Sequence, residues 1–318
     1  MPDRVSWLIP VKNGMPFIVK TLESIANQTV QSLEVIVLDN GSSDGTLEEL
    51  GRWIPGRLPG KIIIEPNISL GKARAILVEE ANSEFCALID ADDVALEHRL
   101  EKQIEFLKLH TNVAAVGCGM YIINERGLRI DNRFPLPSSH FNIICAMLTY
   151  NCMPQPGILF RKSAVVNVGN YSEIRFAEDF DLWLRLSIKY DLANIEEPLI
   201  EYRIREGSET QIAMQNGAIE KLTSEVASKY ALEIWGIDPV DYLAMRSQSH
   251  QKVGLMTARI IRHFVKCNYG IVDIIGSRQL WRTFRSFTPS NRIFLRAFFR
   301  VASLNPFCIF KYIQCRIF

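Results

Sequence analysis

Four times in the first ninety residues a short apolar run stops at charged or turn-forming residues, and helically spaced apolar positions fill the gaps between runs. The runs are Val5 to Val11, Leu33 to Leu38, Lys61 to Glu65 and Cys86 to Ile89. Strand and helix alternating in this way predict an α/β fold with a parallel sheet. Such sheets bind ligands just beyond the carboxyl ends of their strands. The residues that close each run are therefore the first place to look for chemistry.

The fourth run continues as A-L-I-D-A-D-D-V, Ala87 to Val94. Asp90, Asp92 and Asp93 repel one another unless a cation or solvent takes up the charge. Asp90 and Asp92, two apart, suit one hard divalent ion that also holds phosphate oxygens. Asp93 reads as the cap of a helix starting near Ala95, marked by Leu96, Leu100, Ile104 and Leu107.

The earlier strand ends are different. The first closes in Lys12-Asn13-Gly14, a turn signal, with Pro16 in the first turn of the next helix. The second closes in D-N-G-S-S-D-G-T, Asp39 to Thr46. There Asp39 can accept from a base or ribose, while the same loop reads equally as an ordinary connection with Asp44 capping the next helix. After the third, N-I-S-L-G-K-A-R (Asn67 to Arg74) opens a helix in which Gly71 permits close approach to a ligand. Lys72 and Arg74 add positive charge near its N-terminus, where anions are favoured.

Beyond a long strand at Val113 to Asn124, two segments stand out. F-A-E-D-F-D-L-W-L-R-L, Phe176 to Leu186, is a helix with Glu178 and Asp179 in its first turn; one can serve as a general base, or both are simply favourable helix-start acids. Ile195 to Arg205 is a strand ending in Y-R-I-R. Arg203 and Arg205 can meet a diphosphate through bidentate contacts, or lie on a surface edge.

At 318 residues the chain suits one large α/β domain with an appendage. Thr210 to Trp235 reads as one helix, broken by Asp238-Pro239. From Gln251 onward 12 Lys and Arg face one acid, a local charge of +11, against −10 for the rest. Arg292 to Phe318 interleaves Arg with Phe, Ile and Leu, which predicts an amphipathic surface for anionic lipid ahead of a packing subdomain; nucleic acid lacks a motif. Seven scattered cysteines read as reduced packing residues, and the five histidines show no metal spacing. With no signal peptide or spanning segment legible, the expected place is the cytoplasm, peripheral on the inner face of the cell membrane.

Taken in order, P-V-K-N-G, D-N-G-S-S-D-G-T, N-I-S-L-G-K-A-R, D-A-D-D, E-D-F-D-L-W-L-R and Y-R-I-R resemble the inverting glycosyltransferases of family 2. The resemblance implies a GT-A fold over residues 1–208, with 1–125 the nucleotide-binding half and 126–208 the acceptor half. A helical segment (209–250) and a basic amphipathic region (251–318) would follow. It further implies that Asp39 and Arg74 hold the base, Pro10 and Asn13 form the first nucleotide loop, and Asp90 and Asp92 form an Asp-x-Asp motif. In that motif Asp92 ligates Mn²⁺ or Mg²⁺ on the diphosphate. Asp179 would deprotonate the acceptor hydroxyl, with Glu178 shaping the acceptor site. The donor would be a nucleotide sugar, UDP-linked first, and the acceptor a glycan or lipid-linked saccharide of the bacterial surface. The chain departs from the family pattern at Lys12 (often aromatic), Asn40 (often Asp) and Arg205 (often His). A sugar nucleotidyltransferase and a catalytically silent scaffold are the alternatives.

Overall fold

The computed structural model describes residues 5–30, 33–134, 136–215, 217–247 and five positions between 259 and 267. In chain order the elements are β1 (Val5–Val11), α1 (Ile18–Ala26), β2 (Leu33–Asp39), α2 (Thr46–Trp53), β3 (Gly60–Ile64), α3 (Leu70–Glu80), β4 (Phe85–Leu88), β5 (Val94–Ala95), α4 (Arg99–Leu109), β6 (Val113–Ile123), β7 (Arg129–Arg133), α5 (His140–Met147), β8 (Leu159–Arg161), α6 (Lys162–Asn167), α7 (Glu178–Lys189), β9 (Asp191–Arg203), α8 (Glu209–Gln215), α9 (Ala218–Trp235) and α10 (Pro239–Arg246). The chain divides into two compact units, Met1–His140 with Cys152–Ile219, and Phe141–Asn151 with Glu220–Phe318.

The first unit holds the sheet, in the order β3-β2-β1-β4-β8-β6-β9-β5, with β7 on β6. Strands β3, β2, β1 and β4 are parallel. Val35, Ile36, Val37 and Leu38 are all fully buried, so both faces of β2 are covered, and this is why such strands read as unbroken apolar runs. In the β1–β2 register Val11 faces Asp39, which sets the two polar loops side by side. The chain leaves β1 toward β2 and later returns to β4 on the other side. That reversal makes the crevice where doubly wound sheets place ligands.

Asp93 corrects the sequence reading. Val94 and Ala95 pair with Glu201 and Ile200 of β9, and α4 begins only at Arg99. Asp93 therefore caps no helix. Its side chain is fully buried and accepts the backbone N–H of Arg203 at 2.8 Å.

Below this loop lies an arginine that no motif announced. Arg99 is fully buried, with Nη2 donating to the carbonyls of Leu88 (2.7 Å) and Ile158 (3.2 Å) and Nε to Gln103 Oε1 (3.1 Å). Its guanidinium lies 5.0 Å from the Trp7 ring, and burial pulls its pKa down to about 10. These contacts tie the end of β4 to the segment leading into β8. The floor beneath Asp90 to Asp93 is thereby fixed.

The second unit is helical. Trp235 is fully buried, donates Nε1–H to the carbonyl of Ile144 at 2.8 Å, and stacks on Tyr242 at 5.4 Å. Tyr242 in turn donates to the carbonyl of Leu148. The helix expected from Thr210 to Trp235 is two helices, parted near Gly217, whose φ of 73° suits glycine. Asp238-Pro239 opens α10 rather than merely ending α9: the Asp238 side chain accepts from Val240 N–H at 2.9 Å. Among the described residues no helix is long and apolar enough to cross a membrane. The amphipathic reading of Arg292 to Phe318 lies outside the described residues.

Candidate active site

The loops after β1 and β2 are knitted into one piece. Asn13, at φ 55°, donates its N–H to Ser42 Oγ (2.8 Å) and accepts from Ser43 N–H at Oδ1 (2.9 Å). Gly14 N–H donates to Thr46 Oγ1 and Met15 N–H to Asp44 Oδ2. Asp44 also accepts from Thr46 N–H at 3.1 Å. Asp39 is only 1% exposed, and its Oδ1 accepts from Gly41 and Ser42 N–H, each at 2.9 Å. Its Oδ2 is buried with no partner. A buried acceptor left bare costs about 1–3 kcal/mol, so a ligand N–H arriving there recovers a desolvation cost already incurred in folding. Asn40 explains its own departure from the family pattern. It donates to the carbonyl of Ile68 (2.9 Å) and accepts from Ile68 N–H (3.1 Å), a two-way contact that a carboxylate cannot make.

The Asp-rich loop after β4 is held by arginines. Arg74 Nη2 meets Asp90 Oδ1 at 3.2 Å, and its Nη1 meets Glu178 Oε1. Burial weakens the proton affinity of Arg74, but Asp90 and Glu178 more than offset this and hold it charged. Asp92 Oδ2 accepts from Arg205 Nε at 2.7 Å. Burial and then the Asp90 charge push the Asp92 carboxyl above its ordinary range, against the pull of Arg205 and Arg203. Arg203 faces inward: Nε donates to the carbonyl of Asp92 (2.7 Å), Nη1 to those of Asn124 and Glu125, and the guanidinium lies 4.7 Å from the Phe17 ring.

The acids of α7 have separate surroundings. Glu178 is buried against Arg74. Asp179 is half-buried and accepts the N–H of Phe180 at Oδ1. Asp181 is buried in a structural cluster, accepting from Arg185 Nε and Nη2 and from the Ser172 hydroxyl.

Gly71 is a second correction. A Cβ there would stand 2.0 Å from the carbonyl oxygen of Ser172. What the glycine admits is the protein's own chain, with Ser69 Oγ donating to Glu173 Oε2 (3.0 Å) alongside it. Lys72 is exposed and Arg74 buried, so only the latter helps build the site.

A cleft of about 330 Å³ opens between these loops. Of the residues the sequence singled out, it gathers Pro10, Asn13, Asp90, Asp92, Arg203 and Arg205; Asp39, Arg74, Glu178 and Asp179 lie outside its wall. Arg133, at the end of β7, and Gln211, on α8, complete the wall unannounced. Neither carried a signal: Arg133 arrives through the pairing of β7 with β6, a contact made by the folded chain. Lys12, Arg133, Arg203 and Arg205 against Asp90 and Asp92 leave the wall at +2.

A profile of the family described as Glycosyl transferase family 2 matches residues 6–169. The chain belongs to glycosyltransferase family 2. Among curated relatives of this glycosyltransferase, the amylovoran biosynthesis glycosyltransferase AmsE of Erwinia amylovora is 30% identical over 59% of the chain and 70% of the relative. The O-antigen biosynthesis glycosyltransferase WbnJ of Escherichia coli is 30% identical over 67% of the chain and 84% of the relative. Among solved structures, S. aureus TarS 1–349 in complex with UDP-GlcNAc superposes with a TM-score of 0.60 at 17% identity, covering 98% of this chain and 88% of that one. The enzyme therefore has the GT-A fold that its motifs implied.

Proposed function

We propose that this glycosyltransferase transfers a sugar, with inversion, from a nucleoside-diphosphate sugar to a hydroxyl of a glycan or lipid-linked saccharide in bacterial surface polysaccharide synthesis. The observation that carries the reading is the bare, buried Asp39 Oδ2 at the end of β2, in register with Val11 of a cleft wall that bears net positive charge. A base N–H satisfies the first, and a diphosphate the second. The UDP-GlcNAc held by TarS and the polysaccharides named for AmsE and WbnJ point to the same donor and acceptor classes.

In this reading Pro10 and Asn13 bound the nucleotide, Asp39 takes the base, and Arg205 with Arg133 meets the diphosphate. Arg203, engaged with three backbone carbonyls, holds the Asp92 loop in place. Arg74 holds Asp90 and Glu178 together, which fixes the nucleotide loop against the start of α7. Asp179 accepts the proton of the acceptor hydroxyl as its oxygen bonds to C1 of the sugar. The bond from C1 to the diphosphate oxygen breaks on the opposite face, and its electron pair leaves with the nucleoside diphosphate.

The aspartates fit a divalent cation by their chemistry. Each places one hard oxygen on an arginine and keeps a second, two residues apart in the loop. Among the described residues no set of three acids, histidines or cysteines surrounds one point. Diphosphate and water oxygens would complete the shell, and bound Mn²⁺ or Mg²⁺ would neutralise charge on the leaving group. Asp92, with Asp90 beside it, would hold it.

The test is transfer by the purified enzyme with a panel of UDP- and GDP-sugars, scored by released nucleoside diphosphate and by the anomeric configuration of the product. Asp179→Asn should lower turnover by about 10²–10⁴-fold with the circular dichroism spectrum unchanged. Release of pyrophosphate would establish a nucleotidyltransferase instead. For the location, the +11 charge after residue 250 should carry the chain to vesicles containing anionic lipid.

A further inference from the structure

Two arginines occupy the two aspartates of the Asp-x-Asp motif, and they differ in one respect. Arg74 is 5% exposed and pinned on its other arm by Glu178, so it cannot leave Asp90 without stranding a buried charge. Arg205 is 43% exposed and sits on the wall of the cleft, so it can swing away from Asp92 into solvent or onto a ligand.

We infer that Arg205 is a positioning residue that competes with the divalent cation for Asp92, so that cation binding waits for the nucleotide. The inference rests on Asp92 being the cation ligand, as proposed above. A dication entering the free enzyme at the Asp92 oxygen that Arg205 leaves must face, as a like charge, a guanidinium held 2.7 Å from the other oxygen. A diphosphate changes the balance. It offers the planar guanidinium a bidentate partner with the geometry arginine favours, and Asp92 is released as Arg205 moves across. Nucleotide and cation are then linked through one side chain, and the coupling is reciprocal: each raises the affinity of the other by the same factor. Lys12 and Arg133 share the wall, but among the described residues neither pairs with an aspartate there.

The experiment is titration of Mn²⁺, followed by electron paramagnetic resonance, on the full chain alone and with saturating UDP or GDP. Wild type alone should bind Mn²⁺ weakly, and at least ten times more tightly with nucleotide. Arg205→Gln alone should bind Mn²⁺ about ten times more tightly than wild type, with the gain from nucleotide reduced. Arg205→Lys, which keeps the charge but not the fork, should fall between the two. If Arg205→Gln binds free Mn²⁺ no better than wild type, or wild type binds it equally well with and without nucleotide, the competition does not exist. If wild type takes up no Mn²⁺ even with nucleotide, while Asp92→Asn behaves identically, the cation reading of Asp92 itself fails and the inference falls with it.

Discussion

The carboxylates that close β2 and β4 solve the problem of waiting for a ligand in opposite ways. At the β2 end, Asp39 is clamped by two backbone N–H groups and keeps one buried oxygen bare, so the contact is prepared and its desolvation cost is already met. At the β4 end the buried Asp93 also keeps an Oδ2 without a partner, but the two carboxylates on the cleft wall do not. Asp90 and Asp92 are each paired through one oxygen with an arginine, so binding there meets an ion pair already made. In the proposed function, selectivity for the base would come from rigid preparation. Response to a polyanion comes from ion pairs that can be traded.

Substitutions can break this contrast at either end. The largest effect should come from Arg74→Met. It strands Glu178 in a buried site and leaves the part-exposed Asp90 without its cation, and losing one partner of a buried pair costs about 3–5 kcal/mol; the melting temperature should fall by many degrees, read by circular dichroism. Survival of that variant at wild-type stability would mean that the two carboxylates relax into solvent and that the β4 end is softer than drawn. Asp39→Asn should do the reverse. The amide oxygen still serves Gly41 and Ser42, so stability should hold, but an NH₂ now meets the ligand donor. Nucleotide affinity should drop by about 10–100-fold, the equivalent of 1–3 kcal/mol, by calorimetry with UDP or GDP.

The smallest effect concerns the loop beside Asp39. Partial burial pushes the Asp44 carboxyl up, but hydrogen bonds from the Thr46 hydroxyl and the Met15 and Thr46 N–H groups win and hold it below its ordinary value of 3.8. Its contribution is therefore complete above the unfolded value and fades as pH falls through the folded one. Asp44→Asn should cost at most about 1 kcal/mol near neutrality, and the difference should close below pH 3.8 in urea titrations.

How much could be read in advance follows from the range of each interaction. The strands of the parallel half, and the polar residues that close them, are written in local order, because burial on both faces leaves a continuous apolar stretch. Asp93 and Gly71 are not written locally. The first answers to the N–H of Arg203, 110 residues away, and the second to a carbonyl at Ser172. Both had a plausible neighbour in sequence, a helix to cap and a ligand to admit, and the distant partner decided otherwise. Arg99 and Arg133 are harder still: one supports the Asp-rich loop from beneath and the other arrives on a neighbouring strand, with no spacing to mark either.

The bare Cα of Gly71 against Ser172 has a bearing on redesign. Residues 170–178 lead into the helix that begins with Glu178 and Asp179, and are an obvious segment to transplant when a new acceptor is wanted. A donor sequence from a relative with any side chain at position 71 would have learned a different clearance, and would shift Asp179 when inserted here. Chimeras should therefore exchange 69–74 and 170–178 as a matched set.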